Sequence, residues 1–151
     1  MTERGPAEFV WPPITLRLPD WVGEETGPPG GCFPTVEDRM DLAIRLAERS
    51  VEEDAGAPFG ACVFEIESGA LVTPGVSLVV RQNCSPAHGE TLAIMGAQQA
   101  IGTFDLAANR FPPLELVTSA QPCIQCFGNV WWSGLKRVVM AASADDVERL
   151  T

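Results

Sequence analysis

Between Thr35 and Ser143 the apolar pattern runs through helix, strand, strand, helix, strand, helix and strand, and this order restricts the fold more than any other feature of the chain. Thr35 and Asp38 have the spacing of a capping box. Val36, Met40, Ala43, Ile44, Ala47 and Val51 then recur at helical intervals until Gly56 offers a stop. "PFGACVFEI" and "ALVTPGVSLVV" read as a hairpin joined through "ESGA", with Gly69 in the turn. "HGETLAIMGAQQAI" predicts a second helix, "LELVTSA" a strand, "QPCIQCFGNVWWSG" a helix entered just after Pro122, and "LKRVVMAAS" a last strand. Helices alternating with strands imply an α/β domain in which helices cover a mixed sheet.

Length and punctuation divide the chain. A chain of 151 residues matches one ordinary domain. Residues 1–34 read as an N-terminal extension or arm, because Pro- and Gly-rich stretches bracket the short alternating piece "ITLRL". There Ile14, Leu16 and Leu18 would share one face of an edge strand. Residues 35–151 form the domain proper.

Charge and sulfur content narrow the function. Twenty acidic against ten basic residues give a net charge of −10, which repels phosphate backbones and opposes a nucleic acid polymer as partner. No apolar run reaches the roughly 18–20 residues of a membrane span. The sequence also begins without a basic stretch followed by an apolar one, so a cytoplasmic protein with no membrane partner is expected. Five cysteines at 32, 62, 84, 123 and 126 lack the density of a disulfide scaffold, which favours metal binding or catalysis for the close pair.

Cys123 and Cys126 lie three positions apart near a helix N-terminus, where the dipole and exposed N–H groups favour thiolates. His88, the single histidine, also stands at a helix start. One imidazole and two thiolates suit Zn2+ and leave a fourth tetrahedral position for water, as in a catalytic site. Glu90, two residues past His88, would lie beside that water as general base and then general acid. Cys84 offers a competing arrangement, a closed four-ligand site in which the zinc is structural. Cys32 and Cys62 read as a loop thiol and a core residue. Trp131 and Trp132 point about 100° apart on a helix, so at most one would line a pocket.

H-x-E followed by P-C-x-x-C is the pattern of zinc deaminases acting on nucleobases. On "PFGACV", "PAHGETLAI", "GTFDL" and "QPCIQCFGNVWWSGLKRVVMAAS" the chain resembles the cytidine deaminase-like superfamily, and within it the bacterial guanine deaminases and nucleoside deaminases. The resemblance runs from about Thr35 to Ser143. It implies a three-layer α-β-α fold with a central mixed five-stranded sheet. It also implies His88, Cys123 and Cys126 as zinc ligands, Glu90 as proton shuttle, and Ser77, Gly89, Trp132 and Phe59 around the substrate. The expected reaction is hydrolytic deamination of a small aminated heterocycle by a homodimer. A zinc-containing module of the same fold that binds a ligand without catalysis is the competing reading.

The chain departs from the family in several places. Gly75, Val76 and Ser77 stand where relatives have Gly-x-Asn, so a hydroxyl replaces the amide that grips the substrate ring. Gln121 replaces the Glu usual before Pro-Cys. Cys84 stands where relatives tend to have Asp, and "ADDVERLT" does not reach the Gly-Phe-Asp-Asp segment of guanine deaminases. The deaminase chemistry is therefore expected more firmly than guanine specificity, and the N-terminal arm, with Trp11 and Trp21, is a candidate cover for the pocket.

Overall fold

The computed structural model describes residues 13–53 and 56–150. Nine elements follow one another: α1 (Asp20–Thr26), α2 (Val36–Glu52), β1 (Gly60–Glu65), β2 (Leu71–Val76), α3 (Gly89–Ile101), β3 (Leu114–Ala120), α4 (Ile124–Ser133), β4 (Arg137–Ala142) and α5 (Ala144–Leu150). The strands form one sheet in the order β2-β1-β3-β4. In it β1 is antiparallel to both neighbours, while β4 runs parallel to β3.

Alternation along β1 distributes its side chains between two layers. Cys62 and Phe64 join Leu42, Ala43 and Leu46 of α2 in one core cluster; Ala61 and Val63 join Ala93, Ile94 and Ala97 of α3 and Val130 of α4 in the other. The result is the expected three-layer α-β-α fold with a mixed sheet. Thr35 closes the expected capping box with Asp38 at the start of α2. Pro74 has no N–H to donate and is tolerated because β2 is an edge strand.

The expected fifth strand is absent among the described residues. "ITLRL" forms no ladder: Ile14 is 89% exposed, while Leu16 and Leu18 pack on the core without backbone pairing. Pro13 and Pro19 flank it and supply no donors. The chain then enters α1, whose Trp21 and Val22 join the α2-side core. Trp21 therefore packs in the core and does not cover the cavity described below; Trp11 lies outside the described residues.

Glycines let α3 lie directly on the sheet. A Cβ on Gly75 would stand 2.1 Å from the Gly89 carbonyl oxygen and 2.6 Å from the Ala93 nitrogen. The Thr73 hydroxyl donates to the Ala93 carbonyl at 2.7 Å, which fixes the helix along β2. Close backbone approach of this kind requires glycine, and it holds the first turn of α3 at a set height over the end of the sheet.

Candidate active site

Two chain reversals at one end of the sheet bring the metal-ligating types together. His88 is the N-cap of α3 and Cys123 the N-cap of α4, with Cys126 in the first turn of α4. Their ligand atoms all lie within 4.8 Å of one another. His88 Nδ1 is 3.7 Å from Cys123 Sγ and 3.5 Å from Cys126 Sγ. Zinc at its usual bond lengths and a tetrahedral angle places nitrogen and sulfur about 3.6 Å apart, so the donor set and its spacing fit zinc. Cys84, packed partly buried against the α2-side core, is not a member of the cluster. The closed four-ligand arrangement is therefore not formed.

The cluster has two unlike sulfurs. Cys123 is exposed and Cys126 buried. Burial first, and the Glu90 carboxylate second, push the Cys126 thiol far above its ordinary pKa. A bound cation reverses that balance, because a coordinating thiol is held as the thiolate.

Glu90 is 6% exposed. Among the described residues its carboxylate has no hydrogen-bond or ion-pair partner, although a buried carboxylate is ordinarily paired. It opens instead into a cavity of about 410 Å³ that it lines with His88, Cys123, Phe59, Gln121 and Ile124. Ala120 and Pro122 complete that side, and α5 contributes Ala144, Val147 and Glu148. A second cavity of about 210 Å³, lined by Ala57, Phe59, Ser77, Val79, Val80, His88 and Gly89, shares Phe59 and His88 with the first. Ser77 is buried there and its N–H donates to the Phe59 carbonyl at 3.0 Å. Gly89 begins α3, where backbone N–H groups have no partner within the helix.

The structure thus brings Phe59, Ser77, His88, Gly89, Glu90 and Cys123 to one pair of cavities. It does not bring Trp132 there: this side chain is 82% exposed and lines a separate groove with Thr91, Ile94, Phe104 and Asn129. Trp131 is exposed as well. Residues the sequence reading missed are those of α5. A signal existed, since Ser143 and Asp146 have capping-box spacing, and the Ser143 hydroxyl and N–H both donate to Asp146 Oδ2. Gln121 secures the same helix by accepting from the Ala144 N–H at 3.1 Å.

Comparison with known proteins agrees with this geometry. A family model described as the cytidine and deoxycytidylate deaminase zinc-binding region matches residues 34–142. The guanine deaminase of Bacillus subtilis (strain 168) is 34% identical over 110 residues, 73% of this chain and 66% of that enzyme, so the matched stretch spans just under two thirds of the relative. A solved guanine deaminase from Nitrosomonas europaea superposes with a TM-score of 0.86 at 40% identity, covering 91% of this chain and 75% of that one. A variant solved in complex with 8-azaguanine gives 0.86 at 41% identity, covering 91% and 76%.

Proposed function

The chain belongs to the cytidine and deoxycytidylate deaminase zinc-binding family, and from that premise we propose that it hydrolyses the exocyclic amine of a guanine-like heteroaromatic base. The observation that carries this reading is Glu90: a buried carboxylate with no partner among the described residues, opening on the same cavity as His88 and Cys123. Water and the aminated ring are consumed; the ring oxo product and ammonia are released.

His88 Nδ1, Cys123 Sγ and Cys126 Sγ would hold zinc, which when bound supplies Lewis acidity that lets water act as a nucleophile near neutral pH. The flat ring lies between Phe59 and His88, the two residues that line both cavities. Glu90 takes a proton from the attacking water, returns it to the ring nitrogen, and assists departure of ammonia. The Gly89 N–H and the Ser77 hydroxyl read the ring edge. A binding module without catalysis is disfavoured, because the relatives are deaminases and Glu90 has no structural partner that would explain its burial. The net charge of −10 supports a small heterocycle over a nucleic acid. A reducing cytoplasm would keep the cysteine pair available.

Ammonia release from the zinc-loaded protein over aminopurines, aminopyrimidines, aminotriazines and their nucleosides tests the reading. Zinc-dependent release from a base is expected, and silence across the panel with one zinc bound would overturn it. Ser77 sets the preference within the panel. Ser77→Asn restores the amide that relatives carry and is expected to raise kcat/KM for guanine about fivefold, the worth of one further hydrogen bond; an unchanged ratio of guanine to the other bases removes Ser77 from substrate recognition.

The exposed face of α4 supports a homodimer. Phe127, Trp131 and Trp132, with Phe104 nearby in the groove Trp132 lines, leave a run of large apolar side chains in water, which is unusual for a monomer surface. Sedimentation equilibrium is expected to give twice the 16.2 kDa chain mass, and Trp132→Glu to lower it to one.

A further inference from the structure

The hydrogen bonds beside Cys126 run in one direction. Asn129 donates from Nδ2 to Thr91 Oγ1 at 2.9 Å. Gln125 Nε2 reaches the same oxygen at 3.5 Å while also donating to the Pro86 carbonyl at 3.1 Å. A side-chain amide nitrogen carries only protons to give, and a hydroxyl has one proton and two lone pairs. Thr91 is therefore the acceptor toward both amides, and its own proton is free for another atom. Cys126 Sγ stands 3.8 Å from Thr91 Oγ1. A sulfur bound to a metal is a thiolate with no proton, so in the loaded site the hydroxyl is the donor. Cys123 Sγ has no hydroxyl or amide partner among the described residues.

We propose that Thr91, aligned by Asn129, is a positioning residue for the metal: it donates a hydrogen bond to the Cys126 sulfur and so makes the two thiolates unequal ligands. The inference rests on the zinc-ligand reading above. A hydrogen bond draws electron density from the sulfur, weakens its donation and leaves the metal more electrophilic. Chained donors polarise one another, so the Asn129 amide strengthens the Thr91 contact. The relay starts and ends on α4 and passes through α3 only at Thr91, which also fixes the spacing of the two ligand-bearing helices.

Cobalt(II) in place of zinc reads this directly, through the thiolate-to-cobalt charge-transfer absorption. In Thr91→Val, which keeps the branched shape and removes the proton, the band is expected at lower energy than in the native chain. Zinc affinity by chelator competition is expected to fall about tenfold, because the sulfur loses the contact that holds it in position, a loss that outweighs its gain in donor strength. Thr91→Ser returns both readings to the native values, and Asn129→Ala moves the band in the same direction as Thr91→Val. A Thr91→Val protein with the native band and native zinc affinity overturns the proposal. Should that variant fail to fold, an unmoved band in Asn129→Ala overturns it instead. A native chain that takes up cobalt with no thiolate charge-transfer band overturns the ligand assignment, a separate result.

Discussion

Glu90→Gln is expected to bind zinc as the native chain does and to lose about 10²–10⁴-fold in kcat, the range associated with a single general acid–base group. The amide has nearly the volume of the carboxylate, and among the described residues no hydrogen bond or ion pair is lost with it. The walls formed by Phe59, His88 and Cys123 therefore remain in place. Only the capacity to accept and return a proton disappears. Folding stability of the metal-free chain is expected to hold or rise, because the carboxylate is buried without a hydrogen-bond or ion-pair partner among the described residues. Metal content by elemental analysis, melting temperature and ammonia release separate these effects. Native turnover in the zinc-loaded variant would remove Glu90 from the chemistry.

The second large effect is on stability, at the opposite side of the sheet from the ligand-bearing helices. Glu115 on β3 is fully buried and pairs with Arg39 of α2, whose side chain is 3% exposed. Its other oxygen takes the Arg137 Nε at 2.5 Å. Arg39 also donates to the carbonyls of Phe33 at 2.8 Å, Pro34 at 3.2 Å and Ile66 at 3.2 Å. One guanidinium thus ties α2, the preceding loop and the hairpin turn to the sheet. Glu115→Ala leaves that cation buried without its carboxylate and is expected to cost about 3–5 kcal/mol. For a chain of this size that is a fall of roughly 10 °C in melting temperature. Arg39→Met combined with Glu115→Leu is expected to recover most of the loss, since a packed apolar pair replaces a buried charge pair at little net cost. A single variant melting within a few degrees of the native chain would show that the triad contributes little.

The metal cluster was legible in the sequence because its signals are local: an imidazole and a glutamate two apart at one helix start, and two thiols three apart after a proline at another. Their convergence follows from strand order, which the apolar pattern also carried. The capping box at Thr35 and the burial of Cys62 were legible for the same reason. Helix α1 was not, since Asp20–Thr26 spans under two turns, contains Gly23 and carries its apolar contact on two adjacent residues, leaving no period to detect. The fifth strand was expected from family resemblance and an alternating "ITLRL", yet alternation predicts a strand only where a neighbour is available to pair. Glu115 was invisible for a different reason. A glutamate in a short strand reads as solvent-facing, and only the partner from α2, 76 residues away in sequence, explains its burial. Trp132 read as a pocket wall because it falls inside a family motif; in one chain its helix face points outward.

The segments that carry the two N-caps proposed to hold the metal build only part of the cavity walls, and the rest comes from elsewhere in the chain. Every residue proposed here to handle the metal and the proton lies between residues 88 and 126, and the glycine contact under α3 pins the first turn of that span to β2. Much of the wall that a ring would touch comes from before and after that span, at Ala57, Phe59, Ser77 and Val80 on one side and Val147 and Glu148 on the other. Reaction type and substrate choice are therefore separable for an engineer. A library confined to these flanking positions can search for new ring substrates while every variant inherits an intact reaction centre.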